Sequence, residues 1–375
     1  MRDVFLLEAV RTPIGRGKPD GALHGIHPVH LLALTLEALV ERAGVDKAQV
    51  EDVIAGCVSP VGEQGLNVAR LAALQAGFPV SVPGVQLNRF CGSGQQAVHF
   101  AAQAIGAGDM DLAIACGVES MSRVAMGSDG NITAEFREAF PFEMVHQGQS
   151  AEMLVEKWGL SRRELDEYAA SSHCRAAAAA REGWTARELV AVKGRTADEG
   201  VRANPNVEKM GQLAAAFRAG GAVTAGNSSQ ISDGAAALLL GSAEKAKELG
   251  LRKRARVVTR VVVGTDPVLM LTGPIDATQR ALKKAGLDVS EIDVFEINEA
   301  FASVVLAWAR ELRPDMARVN MQGGAIAHGH PLGATGAVLM TKLLHILERT
   351  GGRFGLQSMC IGFGMGTATI VERLE

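Results

Sequence analysis

The chain has 375 residues, 47% of them apolar and 21% charged, and its 38 basic and 41 acidic residues give a net charge of −3. This composition predicts a globular protein of two or three packed units and excludes a disordered chain. The near-neutral balance excludes a general basic field for nucleic acid or an anionic membrane, and no apolar stretch is long enough to span a bilayer.

The N-terminal segment "MRDVFLLEAVRTPIGRG" contains a short strand-like run and lacks the apolar core of a signal peptide. The five cysteines form no C-x-x-C pair and are odd in number, which argues against a disulfide framework or a zinc ribbon. We therefore expect a reducing interior, most simply the cytoplasm. The three histidines of "HGIHPVH" (24–30) suggest a helix entry more than a metal site, because a proline interrupts them and no further ligands follow.

A single cysteine precedes a helix-like run in "QLNRFCGSG" (86–94). The free N–H groups and the dipole of a helix start favour a thiolate, so this position predicts a lowered pKa for Cys91. The adjoining glycines would let a substrate approach the backbone, where the N–H of Cys91 could hold an oxyanion. A buried, unreactive cysteine fits the same spacing.

Residues 121–231 carry turn-rich stretches around one strong helix signal, which opens with the capping box Ser161 and Glu164. The run "GAAALLLGSA" (234–243) then resumes the pattern of a buried strand. We interpret 121–231 as an insertion in the first half of the chain that covers a ligand site.

The second half of the chain echoes the first. "RAGVDKAQVEDVIAGCV" from Arg42 corresponds to "KAGLDVSEIDVFEINEA" from Lys284, an offset of 242 positions. The same offset aligns "CGSG" (91–94) with "GATG" (333–336), and "ACGVES" aligns with "MCIGFG" if two extra residues are allowed. Strand-like and helix-like runs alternate in both copies, which predicts an α/β fold of two halves built on one plan.

Three segments of the second half place polar groups beside predicted strand or helix ends. "GGAIAHGHPLGATGA" has two histidines among glycines, of which His330 is a candidate base for a thiol and the other is expected to be structural. "EINEAFA" puts Asn298 and Glu299 at a strand tip. "MCIGFGMGTA" sets Cys360 in a glycine-rich turn whose N–H groups could face a carbonyl oxygen. The repeat places these groups at matching ends of the two halves, so they can converge.

In order and spacing these segments resemble the thiolase family, the acetyl-CoA C-acyltransferases. The resemblance covers nearly the whole chain and includes "VRTPIGR", "NRFCGSG", "ACGVESMS", "TAGNSSQISDGAAA", "NEAFA", "GGAIAHGHPLGATG" and "CIGFGMG". It implies a thiolase fold with two duplicated βαβαβαββ halves in a five-layered α-β-α-β-α arrangement. The expected domains are 1–120 with 232–253 as the first half, 254–375 as the second, and 121–231 as a loop domain over the CoA site.

The resemblance also implies catalytic roles. Cys91 would be the nucleophile that carries the acyl group, and His330 would take its proton. Cys360 would remove or return a proton at the α-carbon of the second thioester. Asn298 would hold a water that, with His330, stabilises the enolate oxygen. The N–H groups of Cys91 and Gly362 would form the oxyanion hole around the acyl-enzyme carbonyl.

Ligands and partners follow from the same resemblance. No metal and no permanently bound cofactor is required, so coenzyme A and acyl-CoA thioesters are the expected ligands. The expected assembly is a homodimer or homotetramer, with β-oxidation enzymes as further partners. The implied contacts are Ser229 and Ala225 at the pantetheine arm, Arg202 and Phe217 near the nucleotide, Phe301 along the acyl tunnel, and His146. For Arg202, a solvated loop is the alternative.

Four positions depart from residues common in the family: Gln147, Gln230, Leu271 and His328. They leave the chemistry intact and favour a longer, branched or ring-bearing 3-oxoacyl chain, with neutral drift as the alternative. The opening "RTPIGRGKPDGALHG" is more similar to the degradative branch. The predicted function is thiolysis of 3-oxoacyl-CoA.

Other functions remain as alternatives. They are a biosynthetic acetoacetyl-CoA thiolase and a non-catalytic CoA-binding or lipid-binding relative. A 3-oxoacyl synthase is disfavoured because such enzymes generally use one cysteine, with two histidines or with histidine and asparagine, and this chain has Cys360 as well.

Overall fold

A computed structural model describes residues 2–374, so residues 1 and 375 of the predicted outer domains lie outside the described part. The described strands are β1 (Val4–Arg11), β2 (Gly15–Arg16), β3 (Asp52–Gly56), β4 (Gly84–Leu87), β5 (Leu112–Ser120), β6 (Ser232–Ser242), β7 (Ala255–Gly264), β8 (Val294–Ile297), β9 (Phe354–Ile361) and β10 (Met365–Arg373). The described α-helices are α1 (Pro28–Ala43), α2 (Val68–Gln75), α3 (Ser93–Ala107), α4 (Ala134–Ala139), α5 (Gln147–Trp158), α6 (Arg162–Arg181), α7 (Val207–Gly211), α8 (Ala243–Glu248), α9 (Gly273–Ala285), α10 (Ala302–Leu312), α11 (Ala325–His328) and α12 (Leu332–Thr350).

The strands form two half-sheets of the same topology. In the first half the order is β4-β3-β5-β6-β1, and in the second it is β8-β9-β10-β7. A parallel bridge between Phe295 and Val319 extends the second half-sheet beyond β8, at the place that β4 holds in the first. The first strands of the two halves, β1 and β7, pair antiparallel through Phe5 and Leu6. The duplicated α/β plan predicted from the sequence is therefore confirmed.

The same residue types follow the corresponding helices α1 and α9 in the two halves. Helices α1 and α9 both end at a glycine in the left-handed region, Gly44 (φ 68°) and Gly286 (φ 67°), where a side chain would be strained. An aspartate then caps a short 3₁₀ turn in each half, Asp46 before β3 and Asp288 before β8. The two glycines and the two aspartates are each separated by 242 positions, which is the offset of the sequence repeat.

Five layers follow from how the helices cover the half-sheets. Helices α1 and α2 pack on the outer face of the first half-sheet, and α9 and α10 pack on the outer side of the second. Helices α3 and α12 lie between the half-sheets, where Nε2 of Gln95 on α3 donates to Oγ1 of Thr369 on β10 at 2.7 Å. Along β5, Ile114 faces the outer helices and Ala115 faces the central ones, as the alternation of a strand requires.

Glycines let the two central helices approach each other closely. A Cβ on Gly336 of α12 would lie 2.0 Å from the backbone nitrogen of Gln95, and one on Gly94 of α3 would lie 2.8 Å from that of Ala337. Both distances are below van der Waals contact, so any side chain here would push the helices apart. The expectation that the "CGSG" glycines open the backbone to substrate is thus wrong for Gly94, which serves helix packing.

Helices α4, α5, α6 and α7 all belong to the segment between β5 and β6. The predicted capping box is present at the start of α6, where Ser161 and Glu164 bond each other's backbone N–H groups. Within residues 2–374, no helix combines the length and the apolar content that crossing a bilayer requires.

Candidate active site

A cavity of about 660 Å³ lies where the inserted segment meets both halves. Cys91, His330 and Gly362 of the predicted catalytic set line it. Asn298 and Cys360 are almost fully buried, at 0% and 1% exposure, and each interacts with a residue of the lining. The structure therefore brings together all five residues to which the sequence assigns chemistry.

The turn before α3 holds the backbone that presents Cys91. The N–H of Phe90 donates to Oδ1 of Asn88 at 2.7 Å, and the hydroxyl of Ser93 donates to the carbonyl of Phe90 at 2.6 Å. These bonds hold Phe90 at φ 46°, a conformation unusual for a bulky residue. The nucleophile candidate therefore follows a strained residue in a fixed turn.

The thiol of Cys91 lies at the meeting point of several hydrogen-bond donors. Burial raises its pKa to about 11, while the N–H groups of Cys91 and Gly362 and the side chain of Gln147 donate to the sulfur and lower the pKa. The expectation of a lowered pKa is therefore wrong for the free protein, because desolvation outweighs the helix start. These donors would stabilise negative charge that forms at this point during a reaction.

Cys360, at the end of β9, is a close neighbour of Cys91. Burial raises the pKa of the Cys360 thiol, and the charge of Cys91 raises it further. Two thiols that influence each other electrostatically lie near one another, although 269 positions separate them in the sequence. One of them borders the cavity and the other is buried next to it.

The imidazole of His330 is buried and has fixed partners. Its Nδ1 lies 2.6 Å from the hydroxyl oxygen of Thr335, and Nδ2 of Asn298 lies 3.4 Å from its Nε2. Burial lowers the pKa of His330 to about 4, so the ring is neutral at ordinary pH. A neutral imidazole beside a thiol is suited to act as a general base.

Two polar groups of the chain hold the loop that carries His330. The backbone N–H of His330 donates to the carbonyl of Gln230 at 3.1 Å, and the amide of Gln230 donates to the carbonyls of Ile326 and Ala327, each at 2.9 Å. Gln230, one of the departures from the family pattern, thus fixes the approach to the histidine.

Glu299 anchors the same loop from its other side. Its buried carboxylate accepts from the hydroxyls of Tyr168 (2.8 Å) and Ser172 (2.7 Å), from Nδ2 of Asn320 (3.0 Å) and from the N–H of Ile326 (3.1 Å). These bonds join α6 of the insertion to the second half. Glu299 is therefore a structural neighbour of Asn298 and does not line the cavity.

The remaining departures fall in different places. His328 is buried away from the cavity, where the ammonium of Lys342 donates to its Nε2 at 3.2 Å, and its Nδ1 lies 3.1 Å from the carbonyl of Gly329. Leu271 is buried next to Met270 in the sequence; Met270 lines the cavity and Leu271 does not. Gln147 lines it directly, with its Nε2 3.3 Å from the position a Cβ on Gly362 would take. The sequence singled out Gln147 for the pocket but not as a partner of Cys91.

Five of the six predicted CoA or acyl contacts line the cavity: Ser229, Ala225, Phe217, Phe301 and His146. A backbone hydrogen bond joins the segment of Ser229 to the segment of Phe301, since the N–H of Ser229 donates to the carbonyl of Ala300 at 2.9 Å. Arg202 is exposed and does not line the cavity, and its N–H donates to Nδ1 of His173 at 3.1 Å. The structure thus fits the solvated-loop interpretation for Arg202.

The hairpin between β9 and β10 carries a feature that sequence reasoning missed. Ile361 pairs with Met365, which leaves Gly362, Phe363 and Gly364 as the loop. Phe363 has φ 59° and Gly364 has φ 74°. Turns with two such residues favour glycine or asparagine, and the left-handed conformation costs other residues about 1–2 kcal/mol. In the sequence, this tight loop is marked by a phenylalanine between two glycines.

The histidines of residues 24–30 are not gathered at one point. His24 contacts Oγ of Ser122, His27 caps α1, and His30 contacts Gln75. In the part of the chain that is described, no group of three or more His, Cys, Asp or Glu side chains is arranged to hold a metal ion.

Comparison with known proteins gives matches along the whole chain. Residues 4–244 match the family profile described as "Thiolase, N-terminal domain", and residues 251–373 match "Thiolase, C-terminal domain". A steroid 3-ketoacyl-CoA thiolase of Mycobacterium tuberculosis is 47% identical over 390 residues, which cover 100% of this chain and 95% of that protein. A 3-ketoacyl-CoA thiolase of Aeromonas salmonicida is 44% identical over 388 residues, with both chains fully covered.

The fold has a solved counterpart. The crystal structure of the acetyl-CoA acetyltransferase of Bacillus anthracis matches with a TM-score of 0.91 and 39% identity, covering 100% of this chain and 99% of that one. Sequence and fold therefore lead to the same family.

Proposed function

The chain belongs to the thiolase family of acyltransferases, and we propose that it is a degradative thiolase that cleaves 3-oxoacyl-CoA with coenzyme A to acyl-CoA and acetyl-CoA. The observation that carries the proposal is the neighbourhood of two thiols, Cys91 and Cys360, at a cavity that the neutral imidazole of His330 also lines. Cleaving a carbon–carbon bond between two carbonyl groups needs a nucleophile for one fragment and a proton donor for the other. The site has both.

In the first half of the reaction, the sulfur of Cys91 attacks the 3-keto carbon while His330 takes the thiol proton. The oxyanion that forms is held by the N–H groups of Cys91 and Gly362, the two backbone donors that face the sulfur. The bond between C2 and C3 breaks, which leaves the acyl group on Cys91 and an enolate of acetyl-CoA. Protonated His330 and a water on Asn298 stabilise the enolate oxygen, and the thiol of Cys360 protonates C2.

In the second half, coenzyme A replaces acetyl-CoA and its thiol proton passes to the thiolate of Cys360. The CoA sulfur attacks the carbonyl of acyl-Cys91, again with the oxyanion on the N–H groups of Cys91 and Gly362. Acyl-CoA leaves, and Cys91 recovers its proton from His330. Protons and charge balance over the cycle, and neither a metal nor a redox cofactor takes part.

Ligand and assembly belong to the same proposal. Five residues of the expected ligand contacts line the cavity. We assign Ser229 and Ala225 to the pantetheine arm, Phe217 to the nucleotide end and Phe301 to the acyl tunnel, with His146 next to Phe217. His146 and Phe217 stack at 5.2 Å between ring centroids, and Phe217 meets Phe301 at 5.9 Å. We expect a homodimer or homotetramer in the cytoplasm, where both thiols stay reduced, together with other enzymes of β-oxidation.

The activity is tested by measuring the CoA-dependent thiolysis of 3-oxoacyl-CoA thioesters of increasing size. We expect acyl-CoA and acetyl-CoA in equal amounts, and no turnover in Cys91→Ser. A preference for acetoacetyl-CoA over all larger substrates would contradict the degradative assignment and favour the biosynthetic alternative. Absence of turnover on every thioester in the folded protein would overturn the proposal.

A further inference from the structure

We propose that Phe90, Phe140 and Phe363 form an aromatic platform that binds the acyl group and makes the enzyme selective for 3-oxoacyl-CoA thioesters in which a ring is attached to the keto carbon. This inference rests on the proposed thiolase activity and names the substrate class of the same site. It does not involve His146 and Phe217, the aromatic side chains of the expected CoA contacts, and it adds to Phe301, which is assigned to the acyl tunnel.

The platform lies next to the reacting carbonyl. Phe90 immediately precedes Cys91, and Phe363 immediately follows Gly362. Both phenylalanines line the cavity. In the proposed reaction the N–H groups of Cys91 and Gly362 hold the carbonyl oxygen of the acyl group. Phe90 and Phe363 are the sequence neighbours of these two residues, so the group attached to the carbonyl carbon starts close to both rings. The first atoms of the acyl group therefore meet the platform.

Phe363 contacts each of the other two rings. The centroids of Phe90 and Phe363 are 5.5 Å apart at an angle of 45°, and those of Phe140 and Phe363 are 6.5 Å apart in an edge-on arrangement of 80°. Such tilted arrangements are favourable for aromatic pairs and fix the ring faces relative to each other. Phe140 comes from the inserted segment, so the platform joins the insertion to the two catalytic turns.

Backbone strain at two of these residues indicates that large side chains are kept here for a purpose. Phe90 has φ 46° and Phe363 has φ 59°, where a glycine would fit without strain. The ring of Phe363 is not needed to fill the core, because it is 39% exposed. The ring of Phe90 is partly buried and packs against the small apolar cluster around Cys91. Strained residues that persist at a reaction centre point to a functional role for the side chain.

The chemistry of the platform favours a rigid ring over a flexible chain. Rigid aromatic faces offer a preformed apolar surface, and a ring attached to the keto carbon loses little conformational freedom when it packs there. A linear chain of the same carbon number loses rotamer freedom at each bond. The expected selectivity is therefore for an alicyclic or polycyclic acyl group.

The test compares two substrates with nine acyl carbons, 3-cyclohexyl-3-oxopropanoyl-CoA and 3-oxononanoyl-CoA, with acetoacetyl-CoA as the short reference. The variant is Phe363→Gly, which removes the ring and relieves the strain, so that loss of folding does not confuse the result. We expect kcat/KM for the cyclohexyl substrate to fall about tenfold, the change that 1.4 kcal/mol of binding free energy produces. The loss on acetoacetyl-CoA should be clearly smaller than the loss on the cyclohexyl substrate, because a methyl group contacts little of the platform.

Controls separate this inference from the thiolase activity itself. Phe100→Ala removes an exposed phenylalanine that does not line the cavity, and it should leave all three rates unchanged. Equal losses on all three substrates in Phe363→Gly, or no loss on the cyclohexyl substrate, would overturn the platform and leave the thiolase proposal standing. So would a change of oligomeric state in light scattering without a change of selectivity, because the rings would then serve a contact between copies.

Discussion

Nδ1 of His330 lies 2.6 Å from the hydroxyl oxygen of Thr335, five residues further along the chain. The single hydroxyl hydrogen of Thr335 is donated to the carbonyl of Pro331 at 2.8 Å. The threonine oxygen must then accept from the imidazole, so we infer that the proton is on Nδ1 and that Nε2 carries the lone pair. That lone pair is directed to the side where Asn298 lies, which is the tautomer a base for Cys91 needs.

Thr335→Val should lower kcat by about tenfold to a hundredfold, because the valine cannot hold the tautomer or the orientation of His330. Thr335→Ser should restore most of the activity, since it keeps the hydroxyl. Thr341→Val is a matched control on the same helix, because the Thr341 hydroxyl bonds only the carbonyl of Ala337. An unchanged kcat in Thr335→Val would contradict this role of the hydroxyl.

The depressed pKa of His330 predicts an unusual pH profile. Burial disfavours the charged ring, so the imidazole stays neutral above a pKa of about 4. An ordinary histidine would be roughly nine-tenths protonated at pH 5.5 and would have lost most of its basic form. We expect kcat/KM for thiolysis to stay within about twofold between pH 7 and pH 5.5.

A variant checks that this profile reports on His330. Asn298→Asp puts a carboxylate beside Nε2, which stabilises the charged ring and raises its pKa. The acid limb of the variant should therefore move to higher pH. A wild-type enzyme that loses activity with a midpoint near pH 6.5 would show that burial does not depress the pKa in solution.

Gln147→Met should raise the pKa of Cys91 further. The side chain of Gln147 donates to the sulfur and partly offsets the effect of burial, and methionine has no donor. The pH dependence of alkylation by iodoacetamide, followed by mass spectrometry of the Cys91 peptide, measures this directly. The variant should react more slowly at every pH below 11, whereas an equal or faster reaction would remove Gln147 from the set of donors.

Glu299→Gln should destabilise the protein. The carboxylate of Glu299 accepts hydrogen bonds from several donors, and the NH₂ group of a glutamine would face some of those donors with a donor of its own. We therefore expect the free energy of unfolding to fall by roughly 2–4 kcal/mol, with a lower Tm. Tyr168→Phe removes only one of these bonds and should cost about 1 kcal/mol. Because Glu299 holds the loop before His330, thiolysis should also slow. A Tm equal to that of the wild type would contradict the anchoring role.

The duplication could be predicted from the sequence because its signals are local. Glycine after α1 and α9, aspartate at the following turns and small residues at the starts of α3 and α12 recur with a fixed offset. Such signals depend on backbone conformation within a few residues, so they survive when the side chains between them change.

The electrostatics and the aromatic contacts could not be predicted in this way. The pKa of Cys91 depends on burial by both halves, which a helix-start argument does not include. The bonds of Gln230 to Ile326 and Ala327, and the contact between Phe140 and Phe363, join residues far apart in the sequence. Likewise, Arg202 and Ser229 belong to the same turn-rich segment of the sequence. In the folded chain Ser229 lines the cavity and Arg202 does not, a difference that the sequence pattern does not reveal.

The central claim is that Cys91 carries the acyl group while Cys360 handles the proton. The most direct measurement is peptide mass spectrometry after the folded protein reacts with a 3-oxoacyl-CoA in the absence of free coenzyme A. We predict the mass of the acyl group on the Cys91 peptide of the wild type and no label in Cys91→Ser. An acyl group found on Cys360 in the wild type, or labelling that persists undiminished in Cys91→Ser, would contradict the account.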